Sequence, residues 1–117
     1  HKNITLETEF DNDLIIPFNT TLADVLITNL LQNAIRHNKT DGNIRISIKD
    51  KSIIISNSGE PLSISEDELF TRFKKNDASK DSLGLGLSIV KSISALYNIK
   101  ISYQYTSNLH IFTLQFN

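Results

Sequence analysis

The stretch SLGLGLSIVKSI, residues 82–93 of this 117-residue chain, joins two glycines to the start of a predicted helix. The chain has four glycines, and Gly84 and Gly86 alternate here with leucines. Apolar residues then recur at helical spacing, at Ile89, Val90, Ile93, Leu96 and Tyr97. Glycine costs a helix on the order of 1 kcal/mol relative to alanine. Bare backbone at this helix start therefore indicates either a tight turn or the close approach of a phosphate.

Composition limits the classes of protein to which the chain can belong. Hydrophobic residues make up 39% of it, its net charge is −1, and it has no cysteine. Disulfides and thiolate metal sites are thus excluded, and the charge balance gives no general attraction to nucleic acid or to a membrane surface. No apolar run approaches the roughly 18 residues that a membrane span needs. We predict a single domain, residues 1–117, excised from a longer cytoplasmic chain.

The order of predicted elements indicates an α+β fold. Strand-like alternation or apolar content occurs in six stretches: 4–10 (half-buried), 14–18 (an edge piece), 44–49, 52–56, 99–106 and 110–116. Helical spacing with a capping residue occurs from Thr20 or Thr21 to about His37, from Ser65 into LFTRF (69–73), and after the two glycines of the opening stretch. We expect a two-layer sandwich, with three helices on one face of a mixed, mainly antiparallel sheet of about five strands.

Two asparagines lie at the edge of the apolar stripe of the first predicted helix. On a helical wheel Asn33 falls between Leu22 and Leu26, and Asn29 lies one turn earlier on the same edge. A buried amide without a partner costs on the order of 1–3 kcal/mol. Either these amides cap neighbouring backbone, or they face a ligand that the chain does not supply. An amide oxygen suits a hard cation such as Mg²⁺.

Four motifs follow one another along the chain: NLLQNAIRH (29–37), NSGEPL (57–62), LFTRFKK (69–75) and SLGLGLSIVK (82–91). The last motif lacks the third glycine of the dinucleotide fingerprint and the Gly-Lys-Ser/Thr of a Walker A loop. In this order the four resemble the N, G1, F and G2 boxes of the ATP-binding catalytic domain of sensor histidine kinases. That domain has the Bergerat fold, which gyrase-type and chaperone-type ATPases share, and the resemblance covers nearly the whole chain.

The resemblance implies ATP and Mg²⁺ as cofactors and roles for residues of the first motif. Asn33 would hold Mg²⁺ through its amide oxygen, and Asn29 would support the triphosphate. Arg36 stands where the family often carries a residue that reaches phosphate, and His37 where a ring often flanks the adenine. The nucleotide-contacting residues implied in all four motifs are Asn29, Asn33, Arg36, His37, Asn57, Gly59, Lys75, Leu83, Gly84, Leu85, Gly86 and Leu87.

In the remaining motifs the resemblance implies nucleotide contacts from backbone as well as from side chains. Gly59 would let the chain approach the base, and the loop around Gly84 and Gly86 would fold against the phosphates. Backbone N–H groups and the dipole of the following helix suit an anion there. Lys75, the last residue of the F box, could reach the γ-phosphate.

Three positions depart from the family pattern. Asn57 stands where the family usually has an Asp that accepts from the adenine amino group. Glu60-Pro61 replaces the common Pro-Gly, and Ser82 replaces a common first glycine. The amide of Asn57 can still accept a hydrogen bond but carries no charge, so we expect weaker nucleotide binding rather than a different ligand.

The resemblance also bears on the reaction. Gyrase-type ATPases activate water with a Glu at the position of Asn29, and an amide cannot act as a general base. Phosphoryl transfer is therefore favoured over hydrolysis, with no catalytic residue in this chain. The histidines at 1, 37 and 110 lack the Glu or Asp that follows an acceptor histidine.

The acceptor histidine is therefore expected on a separate helical dimerisation domain, with the receiver domain of a response regulator as the next partner. The resemblance further implies a full-length protein anchored in the inner membrane, although this domain would itself contact neither membrane nor nucleic acid. Two alternatives remain open: a degenerate docking module without kinase activity, and a serine kinase of the anti-sigma type.

Overall fold

The computed structural model describes residues 3–10, 18–62, 66–70 and 81–116. Its strands are β1 (Thr5–Phe10), β2 (Asn43–Lys49), β3 (Ser52–Ser58), β4 (Lys100–Thr106) and β5 (Leu109–Gln115). Its helices are α1 (Thr20–Arg36), α2 (Glu66–Leu69) and α3 (Asp81–Leu96). The predicted strand at 14–18 lies outside these ranges except for Phe18, as do Ser65 and residues 71–73. No helix of the described ranges is long and apolar enough to cross a bilayer.

The five strands form one sheet in the order β1-β2-β3-β5-β4. β1 pairs with β2 in parallel, and the other three pairings are antiparallel. The predicted α+β class, with a mixed and mainly antiparallel sheet, is confirmed. Both antiparallel hairpins turn through two residues with positive φ, at 50–51 and at 107–108. Such two-residue turns match the right-handed twist of the strands that they join.

The core lies between this sheet and the two long helices. Its most buried members come from α1, α2, α3, β3 and β5: Leu26, Leu30, Ala34, Leu69, Leu87, Val90, Ile55, Phe112 and Leu114. The opposite face of α1, with the polar residues Thr21, Asp24, Thr28 and Gln32, is exposed. The amphipathic pattern of α1 therefore sets which face of this helix packs on α3 and the sheet.

Some predicted boundaries and burials are wrong. The N-cap of α1 is Asn19 rather than a threonine, because its side chain accepts from the Leu22 N–H at 3.0 Å. β1 is exposed along its whole length rather than half-buried, because among the described strands it lies at the edge of the sheet and pairs with β2 alone. Leu96 keeps helical spacing but is 69% exposed, because it is the last residue of α3.

A polar cluster, formed by Asn38, Gly42, Asn43 and Ser58, ties the end of α1 to the end of β3. The Ser58 hydroxyl donates to Asn38 Oδ1 at 2.6 Å and accepts from the Asn43 N–H at 2.9 Å. Asn38 Nδ2 in turn donates to the Asn43 carbonyl at 2.8 Å. A Cβ at Gly42 would collide with Asn38 Oδ1 and Ser58 Oγ. The cluster therefore requires glycine at 42 and fixes β3 relative to α1.

We predict that Gly42→Ala lowers the free energy of unfolding by about 1–3 kcal/mol, because the added methyl overpacks the polar cluster. Urea unfolding measures the change, and Thr40→Ala at an exposed neighbouring position is the control. Equal stabilities of the two variants would contradict the packing role of Gly42.

Candidate functional site

Two buried amide oxygens mark the candidate site. Asn33 on α1 is 8% exposed and Asn57 on β3 is 1% exposed. The Oδ1 atom of each side chain has no hydrogen-bond partner among the described residues. Buried polar atoms in native proteins are nearly always paired, so an unpaired acceptor indicates a missing ligand or water. The amide oxygen of Asn33, at the edge of the apolar stripe as predicted, is thus placed where a ligand could bind it.

The amide of Asn57 has a fixed orientation. Its Nδ2 donates to the Ser58 carbonyl at 2.9 Å, which leaves Oδ1 as an acceptor. β3 continues to Ser58, two residues beyond its predicted end, so Asn57 lies within the ladder opposite Ile44 and His110. A neutral acceptor held in this way suits an N–H donor of a ligand.

Asn29 joins the first motif to the fourth. Its Nδ2 donates to the Val25 carbonyl at 2.7 Å, and a Cβ on Gly86 would lie 2.9 Å from its Oδ1. Gly86 therefore brings the backbone of α3 against the amide of Asn29. This close approach is a physical reason for glycine at 86 that does not depend on any ligand.

The fourth motif is helical, which corrects the expected loop. α3 begins at Asp81, so Gly84 and Gly86 lie in its first two turns. Leucine favours helices, and Asp and Ser suit a first helical turn, so the helix extends through both glycines. The first four N–H groups of a helix have no helical partner and form its positive end. This end of α3 could meet an anion.

We predict that Gly86→Ala destabilises the protein when Asn29 is present and stabilises it in an Asn29→Ala background. The methyl would press on the Asn29 amide, whereas without that amide the higher helix propensity of alanine adds up to about 1 kcal/mol. A double-mutant cycle by urea unfolding measures both effects. The same sign in both backgrounds would contradict the contact.

The β4–β5 hairpin holds the loop after β3. His110 on β5 is buried, with Nε2 2.8 Å from the Glu60 carbonyl and Nδ1 2.7 Å from the Tyr103 hydroxyl. The Tyr105 hydroxyl donates to the Gly59 carbonyl at 2.9 Å. Sequence reasoning missed these three side chains, and also Asn38 and Ser58. Strand alternation alone could place residues 103, 105 and 110 on one face, but only the register sets them beside Asn57.

Gly59 is enclosed on two sides. A Cβ there would collide with the His37 carbonyl at the end of α1 and would lie 3.1 Å from the His110 ring. Glycine at 59 therefore lets the loop pass between helix and sheet, a requirement that does not depend on the approach of a base.

Burial lowers the pKa of His110 below its ordinary value of 6.5, with the hydrogen bond to the Glu60 carbonyl acting in the opposite direction. A pKa that is lower in the folded state gives stability that is complete above pH 6.5 and is lost as the pH falls below it.

We predict that His110→Gln reduces the fall in the free energy of unfolding at low pH, as measured by urea unfolding between pH 5 and pH 8. Parallel profiles of the wild type and the variant would contradict the prediction.

The remaining predicted site residues occupy several positions. Arg36 is exposed in the last turn of α1, and His37 is half-buried at its C-cap, donating its N–H to the Asn33 carbonyl at 3.1 Å. Leu87 is buried in the core. Lys75, and the side chains of Leu83 and Leu85, lie outside the described residues.

The third motif is attached to the sheet through its first phenylalanine. The Phe70 ring packs edge-on against Phe112 at 6.1 Å between centroids, and Lys91 Nζ lies 5.7 Å from the Phe70 centroid. This packing gives Phe70 a structural role, because it attaches the start of the third motif to the sheet.

A family model described as histidine kinase-, DNA gyrase B-, and HSP90-like ATPase matches residues 19–116. The chain belongs to this ATPase family, and within it the similar proteins are sensor histidine kinases. The sensor histidine kinase CssS of Bacillus subtilis is 29% identical over 104 residues, which cover 88% of this chain and 23% of that protein. The heme sensor protein HssS of Staphylococcus aureus is 40% identical over 90 residues, which cover 73% and 20%.

Solved structures give the same assignment. The catalytic domain of histidine kinase ThkA, in a nucleotide-free form, superposes with a TM-score of 0.79 at 29% identity, over 96% of this chain and 77% of that one. The predicted family and fold are therefore confirmed, and the class of enzyme to which they point is a protein-histidine kinase. This chain spans about a quarter of the length of the curated relatives that it matches.

Proposed function

We propose that residues 1–117 form the catalytic domain of a longer sensor kinase, which binds Mg-ATP and transfers its γ-phosphoryl group to a histidine of a separate helical dimerisation domain. The observation that carries the proposal is the pair of buried amide oxygens of Asn33 and Asn57, for which the described residues supply no hydrogen-bond partner. They stand in the first and second of four motifs whose order is that of the family. The proposal assigns the two oxygens to the two ends of one nucleotide.

Asn57 would receive the base. Its fixed Oδ1 would accept a hydrogen bond from the adenine amino group, and satisfying this buried acceptor is worth on the order of 1 kcal/mol or more. Gly59 keeps the neighbouring backbone free of a side chain, so that the base can approach it. Because Asn57 carries no charge, its interaction with the amino group would be weaker than that of a carboxylate. His37 at the end of α1 would flank the adenine.

Asn33 would hold Mg²⁺, for which an amide oxygen is a suitable ligand and which commonly keeps waters and phosphate oxygens as its other ligands. When bound, the ion neutralises charge on the phosphates. The free N–H groups of the first turn of α3, which includes Leu83 and Gly84, would meet the phosphates at the positive end of the helix, whereas Leu85, Gly86 and Leu87 lie in the next turn. Asn29, Arg36 and Lys75 would support the triphosphate.

Transfer rather than hydrolysis is supported by the environment of Asn29. Its amide contacts Val25 and Gly86 and cannot take a proton from water. In the proposed reaction an imidazole nitrogen of the partner domain forms a bond to the γ-phosphorus while the bond from that phosphorus to the bridging oxygen breaks, releasing ADP. The contribution of this domain is positioning and charge neutralisation.

The phosphoryl group would then pass to the receiver domain of a response regulator. We further propose that the whole protein is anchored in the inner membrane, with this domain in the cytoplasm. Mixing the domain with a helical phosphoacceptor domain and labelled ATP tests the reaction, and acid-labile phosphate on the acceptor is the expected result. Acid-stable phosphoserine would indicate a serine kinase instead. No transfer would favour a docking module, the alternative that Asn57 and Ser82 support.

We predict that Mg²⁺ with a non-hydrolysable ATP analogue, at about 100 times its dissociation constant, stabilises the domain by roughly 2.7 kcal/mol. The melting temperature should then rise by on the order of 10 °C. Asn33→Ala should abolish the part of this rise that depends on Mg²⁺, because it removes the proposed ligand. Gln32→Ala, at the exposed neighbouring position, is the control and should keep the full rise. Equal rises in both variants would contradict the role of Asn33.

A further inference from the structure

Three hydrogen bonds attach the loop after β3 to the β4–β5 hairpin. Glu60 O lies 2.8 Å from His110 Nε2, and Gly59 O accepts from the Tyr105 hydroxyl at 2.9 Å. The Gly59 N–H donates to the Asn108 carbonyl at 3.2 Å. The loop backbone is therefore held from one side by side chains of both hairpin strands and by the turn between them.

The His110 ring donates one hydrogen bond and accepts the other, and its partners fix which nitrogen does which. A carbonyl oxygen can only accept, so Nε2 carries the proton that is donated to Glu60 O, and the neutral ring then accepts at Nδ1 from the Tyr103 hydroxyl. Burial supports this state, since it lowers the pKa of His110 and raises that of Tyr103 to about 12. Tyr103 thus fixes the tautomer that supports Glu60.

His110 is also the direct neighbour of Asn57. The two residues are cross-strand partners of β3 and β5, so their side chains stand on the same face of the sheet, and both are nearly fully buried. The ring of His110 would lie 3.1 Å from a Cβ on Gly59. The imidazole therefore contacts the loop backbone beside the amide whose oxygen has no partner among the described residues.

We propose that His110, oriented by Tyr103, is a positioning residue for the base end of the site. It holds Gly59 and Glu60 at a set distance from Asn57, so that the amide oxygen and the loop backbone together select a purine with an amino group at C6 over one with an oxo group at C6. This inference rests on the proposed nucleotide binding. The loop needs such support because Gly59 is the only glycine between residues 57 and 62.

The test compares affinities for ATP and GTP, both with Mg²⁺, by isothermal titration calorimetry of the folded domain. His110→Leu should weaken ATP binding about three- to tenfold, the worth of one hydrogen bond, and leave GTP binding nearly unchanged. His110→Gln places an amide donor near the position of Nε2 and should retain most of the preference for ATP. Tyr103→Phe, which frees the tautomer, should weaken ATP binding by about threefold.

Gln104→Ala is the matched control, since its exposed side chain lies on β4 between the two tyrosines and on the opposite face of the sheet. It should leave both affinities unchanged. If His110→Leu does not fold, the ratio of ATP to GTP affinity is measured in Tyr103→Phe, which keeps the imidazole.

An unchanged ratio of ATP to GTP affinity in both variants, or an equal loss for both nucleotides, would overturn the positioning role while leaving the proposed function intact. A wild-type domain that binds neither nucleotide would overturn the proposed function and this inference together.

Discussion

Gly59 packs closely against the carbonyl of His37, and this contact sets how near the end of α1 lies to the end of β3. At this point the end of α1 meets the end of β3, and a single methyl group would separate them. The polar cluster of Asn38 and Ser58 holds the junction from one side, and His110 holds it from the other. Because the junction is fixed, Asn33 and Asn57 keep a constant relation even though they belong to different layers.

The two amide oxygens reduce the stability of the folded chain, and the proposed nucleotide would offset this cost. Each is a buried acceptor without a partner in the described part of the chain, and each costs on the order of 1–3 kcal/mol until something donates to it or binds it. The core of α1, α3 and the sheet compensates this cost through Leu30, Ile55 and Leu114, which are almost wholly buried. Strained or unsatisfied groups of this kind persist where the surrounding structure holds them and a ligand uses them.

Much of the fold could be predicted from local patterns. The helical stripe of α1 placed Asn33 at the edge of the core, and alternation placed the strands to within about two residues. Long-range features could not be predicted, because they depend on which strands pair. The neighbour relation of Asn57 and His110 comes from the register of β3 with β5. The exposure of β1 follows from its place at the sheet edge. Gly84 and Gly86 were expected in a loop, but they lie within α3.

We propose that Asn33 and Asn57 receive opposite ends of one nucleotide. NMR signals of their side-chain NH₂ groups test it most directly, in titrations with ADP alone and with ADP plus Mg²⁺. The account predicts that the Asn57 signals shift in both titrations, because the base is present in both, and that the Asn33 signals shift strongly only when Mg²⁺ is added. Identical shifts of Asn33 with and without Mg²⁺, or no shift of Asn57 in either titration, would contradict it.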